Sequence, residues 1–376
     1  MNKYIATHLS NYTKPKIIYD LNILRENLAF IQEAANTNNI NILFAVKSFP
    51  VATVLDFVSS YVDGFEISNT SEYKLLPANN SYKFISVNDP TIKLSEIPTY
   101  LSQKNKTVLY NLDCLDECIT EELRIYNDTN LQFGLRLSHT ALGITSPSYH
   151  TGVINSRFGI GLQKAQELFA TKPFISGIHL HNGSETNNIE SYIFMANKIV
   201  AFLEKNSIEI NYINFGGGLH RLSNNEILIL FMELKNTIPK KWKLFFEPGH
   251  LFGKNTGYAI TKIASVKEID TGKYVVTTDI SYECNLKWST PQYSPRCKEL
   301  SGEYVDITFY GASCSERDFI LNCRIDINDF RQNIIRDHLV IFENINGYAV
   351  AWNHSFNGIL KAETYFYDSA QHATNY

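Results

Sequence analysis

The sequence predicts an α/β fold: a closed (β/α)8 barrel, of the TIM type, followed by an all-β domain. Two observations carry this. From residue 21 to 249 short apolar runs alternate with amphipathic helical stretches, eight units in order, and after residue 250 the chain turns to strand-like runs separated by turns. Eight strand–helix units over about 230 residues are what such a barrel needs. A doubly wound open sheet would also alternate strands with helices, but eight units in order favour closure. The expected domains are 21–249 for the barrel, and 1–20 with 250–376 for the β domain.

The expected barrel strands are ILFAVK (42–47), GFEIS (64–68), KFISVND (83–89), TVLYN (107–111), LQFGLRLS (131–138), ISGIHLHN (175–182), INYINFGGG (210–218) and KLFFEPG (243–249). Between them VATVLDFVSSYV, ESYIFMANKIVAFLEK and NNEILILFMELKNTI place apolar residues at the three-to-four spacing of helices. In the β domain ITKIASVKEID, KYVVTTDISYEC, VDITFYGASC, HLVIFENIN and YAVAW are expected as strands, and KIIYD (16–20) as an additional one. The chain has 376 residues, 44% hydrophobic and 19% charged, with a net charge of -4, so no nucleic-acid or membrane surface is expected as partner. MNKYIATHLSNYTKPK has no apolar core of signal-peptide length, no apolar run reaches spanning length, and six cysteines lack metal-ligand spacing. A reduced, cytoplasmic chain without a metal is the expectation.

In such barrels chemistry sits at the C-terminal strand ends. Lys47 closes the apolar run NILFAVK, where a charged amine is costly unless paired or neutralised. It reads either as a lysine snorkelling at a strand end or as one whose desolvated amine binds a carbonyl cofactor. Asn69 and Glu72 follow the second strand, Arg136 ends the fifth, and His181, Asn182, Gly183 and Ser184 close the sixth. Gly216, Gly217 and Gly218 end the seventh, and Glu247, Pro248, Gly249 and His250 the eighth. Three side-chain-free amides, with a helix N-terminus expected after them, can approach a phosphate closely. An amine, a phosphate cradle and a carboxylate on one rim suit a molecule with an aldehyde, a phosphate and a ring nitrogen, which is pyridoxal 5′-phosphate.

Taken together, AVKS, HNGSE, FGGG, EPG, YGASCSERD and NGYAVAWNHSFNGI resemble motifs of the alanine-racemase-fold, or fold type III, pyridoxal-phosphate enzymes. Within them the likeness is to the group IV ornithine, diaminopimelate and carboxynorspermidine decarboxylases, over nearly the whole chain. The resemblance implies Lys47 as the cofactor's covalent anchor, His181 stacked on its ring and Ser184 at its phosphate. It implies Glu247 on the pyridine nitrogen, Tyr348 on the phosphate, and Cys314 reaching across a homodimer interface into the partner's site, where it or an acid near it returns a proton to the α-carbon. Glu316, Asp318, Trp288 and Phe356 are expected near the substrate. His179 is read as structural, on the opposite side of its strand from His181. The chain departs from the family pattern at His250, where arginine or glutamate is usual, at Ser315, and at Trp288, where the carboxynorspermidine branch has an aspartate. A distal substrate group other than a simple ammonium is implied, such as a citrate-conjugated diamino acid of siderophore synthesis or a polyamine precursor. The alternatives are an amino-acid racemase of the same fold, which the carboxylate of EPG argues against, and a non-catalytic pyridoxal-phosphate-binding protein, which the β domain argues against.

Overall fold

The structure, a computed structural model, describes residues 3–375 except 79–80, 124, 127, 139, 144–155, 182–185 and 370. A first strand, β1 (Lys16–Asp20), precedes eight that close on one another: β2 (Ile40–Ala45), β3 (Gly64–Ile67), β4 (Phe84–Val87), β5 (Thr107–Leu112), β6 (Leu131–Arg136), β7 (Ile175–His179), β8 (Tyr212–Asn214) and β9 (Lys243–Phe246). Each pairs in parallel with the next, and β2 with β9, so the expected closed barrel is present. It lies in one compact unit, Asn27–Phe252; the other comprises Met1–Glu26 and Gly253–Tyr376.

The barrel interior follows from the period of two along each strand. Leu43, Phe84, Leu109, Tyr212 and Phe245 form one buried apolar cluster across it. Tyr212 lies where two strands carry no side chain: a Cβ on Gly177 would come within 2.1 Å of its ring, and one on Gly134 within 2.3 Å of its hydroxyl. Outside, the helices Ile189–Lys205 and Asn224–Thr237 bury Met195, Ile199 and Leu203, and Ile227, Leu230 and Leu234, at the helical spacing. The second of these opens with a capping box, Ser223 with Glu226.

The other unit adds β10 (Gly257–Asp270), β11 (Lys273–Thr278), β12 (Gln292–Tyr293), β13 (Tyr304–Tyr310), β14 (Phe319–Asp326), β15 (Leu339–Ile345), β16 (Glu363–Asp368) and β17 (Gln371–Asn375). Their sheet runs β14-β13-β11-β10-β1-β16-β17, with β15 on β10 and β12 on β15. KIIYD therefore enters this sheet, antiparallel to β10 and parallel to β16. The strands β12, β14, β16 and β17 lie outside the runs expected above, and other segments differ from expectation in kind. YAVAW is a helix, Tyr348–Trp352, because Asn346 turns the chain and its Oδ1 accepts from the Tyr348 amide at 3.0 Å. KYVVTTDISYEC stops as a strand at Thr278, and Ser281 caps a wide helical turn, Tyr282–Leu286, by accepting from the Cys284 amide. The N-terminal helix Lys3–Ser10 was not anticipated; its Ile5, four residues before Leu9, packs on Ile18, Ile260 and Ile341.

Candidate active site

Two residues beyond the apolar floor the same strands carry polar side chains. They are Ser86 on β4, Asn111 on β5, His179 on β7 and Asn214 on β8, with Glu66 on β3 and Glu247 just past β9, and all six are buried. Lys47 is not on the strand, which ends at Ala45; it stands in the following turn, Val46–Ser48. Leaving the strand there frees the amine to face Glu66, whose two carboxylate oxygens each accept from Nζ at 2.6 Å. The lysine side chain is 43% exposed and the glutamate 1%, so the carboxylate is fixed while the amine can turn toward a ligand.

Glu247 is held from three sides. Asn214 donates to its Oε1 at 2.6 Å, and His179 Nε2 and Asn88 Nδ2 approach its Oε2 at 3.1 and 3.0 Å. Burial alone would push the Glu247 carboxyl up; the charge and hydrogen bond of His179, then the Lys47 charge, override it and hold the pKa below the ordinary carboxylate range, at about 2. His179 thus belongs to the site rather than to the far side of its strand: 179 and 181 are two residues apart and share a face. Asn88 also donates to Glu66 Oε1 at 3.2 Å, so hydrogen bonds run from the Lys47 amine through Glu66 and Asn88 to Glu247. Sequence reasoning missed Glu66, Asn88, Asn111 and Asn214. The available signal was a polar residue recurring at inward positions of runs otherwise apolar, as in GFEI, FISVN, VLYN and YINF.

His181 Nδ1 accepts from the Gly217 amide at 3.3 Å, and the Gly216 amide donates to Asn214 Oδ1 at 2.9 Å. Two of the three glycine amides are therefore engaged, and the helix expected to follow begins only at Asn224. The turn instead needs glycine for close approach: Gly216 has φ +67, and a Cβ there would meet the Leu180 carbonyl at 2.2 Å. Among the described residues the Gly218 amide meets no acceptor. Asn69 and Glu72 serve their own turn: Asn69 caps the short helix Thr70–Tyr73, accepting from the Ser71 and Glu72 amides, and Glu72 accepts from the Ser68 amide. Arg136 pairs with Asp113 at 3.3 Å and lies over the Phe158 ring at 4.5 Å. The Gly249 carbonyl accepts from the Phe252 amide, and the His250 ring lies 5.0 Å from that of His220. Ser184 falls outside the described residues.

In the other unit Cys314 is exposed, with Asn357 Nδ2 at 3.6 Å from its sulfur. Asp318 corrects expectation. It is buried, and its carboxylate accepts from Ser281 Oγ and the amides of Glu283 and Ser313, so it shapes the Cys314 loop and is not open to a substrate. Glu316 and Phe356 are exposed. Trp288 adopts φ +67, a left-handed conformation that costs a bulky residue energy. Its carbonyl accepts from Asn346 Nδ2, and its half-exposed ring meets Tyr348 and Trp352 edge to face. Tyr348 itself is buried.

This donor set fits pyridoxal phosphate: an amine mobile enough to bond a carbonyl, and a buried carboxylate kept ionised for a protonated ring nitrogen. Fold and site thus define a barrel enzyme of the pyridoxal-phosphate class. Residues 22–254 match the pyridoxal binding domain of the pyridoxal-dependent decarboxylases, and the chain belongs to that family. It is 22% identical over 367 residues to a 2-[(L-alanin-3-ylcarbamoyl)methyl]-2-hydroxybutanedioate decarboxylase of Staphylococcus aureus, covering 90% of each chain. It is also 22% identical to the carboxyaminopropylagmatine decarboxylase of a Synechocystis species, over 93% of this chain and 89% of that one. Among solved structures, diaminopimelate decarboxylase from Helicobacter pylori, complexed with L-lysine, superposes with a TM-score of 0.75 at 16% identity, over 97% of this chain and 94% of that one. The expected fold-type III decarboxylase is what the chain is, and a racemase finds no support. No described helix is long and apolar enough to cross a membrane.

Proposed function

We propose that the enzyme removes the α-carboxylate of an L-diamino acid carried in a larger conjugate. The observation that carries the reaction type is Glu247, ionised in a buried site and joined by hydrogen bonds to the Lys47–Glu66 pair. Pyridoxal phosphate, when bound, supplies the electron sink for the pair of electrons left as carbon dioxide departs. Lys47 would anchor it, and Glu66 would hold the lysine amine whenever that amine is not bonded to the cofactor. Glu247 would keep a proton on the cofactor's ring nitrogen. Its own carboxyl is too acidic to take that proton away, which keeps the sink at full strength. His181 would stand beside the cofactor's ring and the Gly218 amide would bind its phosphate, and the family resemblance adds Ser184 and Tyr348 as phosphate contacts. Cys314, or an acid near it, returns the proton to the α-carbon.

For the substrate, the support is Trp288, half exposed among Tyr348 and Trp352 where the family resemblance expects an acid, together with the two relatives that act on conjugated diamino acids. Carbon dioxide release measured over diaminopimelate, ornithine, lysine, carboxynorspermidine and citryl-diamino acids tests this. A conjugate should be turned over fastest, and faster turnover of lysine or ornithine would overturn it. The purified enzyme should be yellow and bleach with borohydride, and Lys47→Ala should abolish the colour; colour that persists means another anchor. We further propose a cytoplasmic homodimer in which Cys314 of one copy serves the Lys47 site of the other. Cys314→Ala should then keep the colour and lose on the order of 10²-fold or more in turnover. Mixing it with Lys47→Ala chains should restore activity; no recovery sinks the shared site.

A further inference from the structure

Asn88 stands just beyond β4, and both hydrogens of its amide nitrogen are directed at carboxylates: Glu66 Oε1 at 3.2 Å and Glu247 Oε2 at 3.0 Å. Its Oδ1 accepts from Asn111 Nδ2 at 3.0 Å, and Asn111 Oδ1 accepts from the Tyr212 hydroxyl at 2.8 Å. Asn111 Nδ2 also donates to Ser86 Oγ at 3.0 Å. These bonds have only one self-consistent direction. Turning Asn88 over would aim its oxygen at two ionised carboxylates, acceptor against acceptor, and its nitrogen at the nitrogen of Asn111. Tyr212 is itself fixed, wedged in the space that Gly134 and Gly177 leave.

We propose that Asn88 is a positioning residue that keeps Glu66 and Glu247 ionised together and so couples the cofactor's amine anchor to its ring-nitrogen partner. Two carboxylates reaching one nitrogen repel each other in a low-dielectric interior, and unaided one of them would take up a proton. A shared donor offsets that repulsion at both ends. The charged and titratable groups around Asn88 are Lys47 from the turn after β2, Glu66 from β3, Glu72 from the helix behind it, His179 from β7 and Glu247 beyond β9. Lys47 answers Glu66 and His179 answers Glu247, while Asn88 touches both acids, so a change there should move both ends of the site at once.

The inference rests on the pyridoxal-phosphate reading and is separable from it. The test uses the holoenzyme and its Asn88→Ala, Asn88→Ser and Asn88→Asp variants, reading the pH dependence of the cofactor's visible band and of kcat, cofactor retention on dialysis, and thermal stability at neutral pH. Asn88→Ala should shift the acid limb of kcat and the midpoint of the visible titration by about one pH unit, the worth of one charge-assisted hydrogen bond. Asn88→Ser, which keeps one donor, should shift them less, and Asn88→Asp, which adds a third acid, more, with KM little changed. Should Asn88→Ala fail to fold, Asn88→Ser alone carries the comparison. Titrations that coincide with the parent, whatever happens to stability, overturn the coupling and leave the cofactor assignment standing. A parent protein with no visible band overturns both.

Discussion

Leu43, Phe84, Leu109, Tyr212 and Phe245 fill the lower layer of the barrel. Two positions further along the same strands stand Ala45, Ser86, Asn111, Asn214 and Glu247. Backbone, register and burial scarcely change between the two layers, yet the first is an apolar packing problem and the second a hydrogen-bonded array around two carboxylates. The comparison separates what makes the barrel stable from what makes it chemical. The lower layer gains from burying apolar area without needing direction. The upper layer pairs its buried side-chain donors and acceptors, His179 Nδ1 excepted, and in return fixes charge in place.

The largest expected effect is in the lower layer. The Phe245 ring is fully buried, edge-on to Phe84 at 4.9 Å and to Tyr212 at 5.9 Å. Phe245→Ala should cost about 3–5 kcal/mol in chemical denaturation, the range for a large aromatic leaving a cavity. Those molecules that fold should titrate like the parent in the visible band. If the titration moves as far as the stability, the layers are not separable.

The upper layer should respond to pH instead. The Glu247 carboxyl is depressed in the folded protein, so its ionised form favours folding: the contribution is complete above its ordinary value of 4.5 and is lost as pH falls toward about 2. Unfolding measured across that window should therefore weaken less steeply in Glu247→Gln than in the parent, and at neutral pH the variant should be the less stable of the two, because a neutral amide lacks the contribution of the ionised form. Equal slopes would mean that Glu247 is not depressed. The same variant should lose turnover, since a neutral amide cannot keep a ring nitrogen protonated.

The fold was largely legible because each barrel strand is an apolar run of its own, and KIIYD carries a short one between Lys16 and Asp20. YAVAW was not, since five residues are too few to show a period, and an asparagine before them decided the turn. In the site, Lys47 and Glu247 were legible because a charge beside an apolar run is costly and so calls for a reason. Glu66, Asn88, Asn111 and Asn214 were hidden by the runs that contain them, and become one network only when eight strands are set in register. Asp318 misled for the opposite reason: an acid four residues past a cysteine suggests chemistry, and only its bonds to Ser281, Glu283 and Ser313 show that it holds the loop.

Tyr212 belongs to both layers, its ring in the apolar floor and its hydroxyl on Asn111, and so tests how sharply they divide. Tyr212→Phe keeps the ring in the space left by Gly134 and Gly177 and removes only the hydrogen bond. The loss should be about 1 kcal/mol, because Asn111 Oδ1 is left without its donor while the packing stays. Freed from Tyr212, Asn111 is still held through its Nδ2 by Ser86, so the orientation of Asn88 should survive and the visible titration should move far less than in Asn88→Ala. A shift as large as that of the Asn88 variant would mean that the direction of the whole network is set from the floor, and that the two layers act as one.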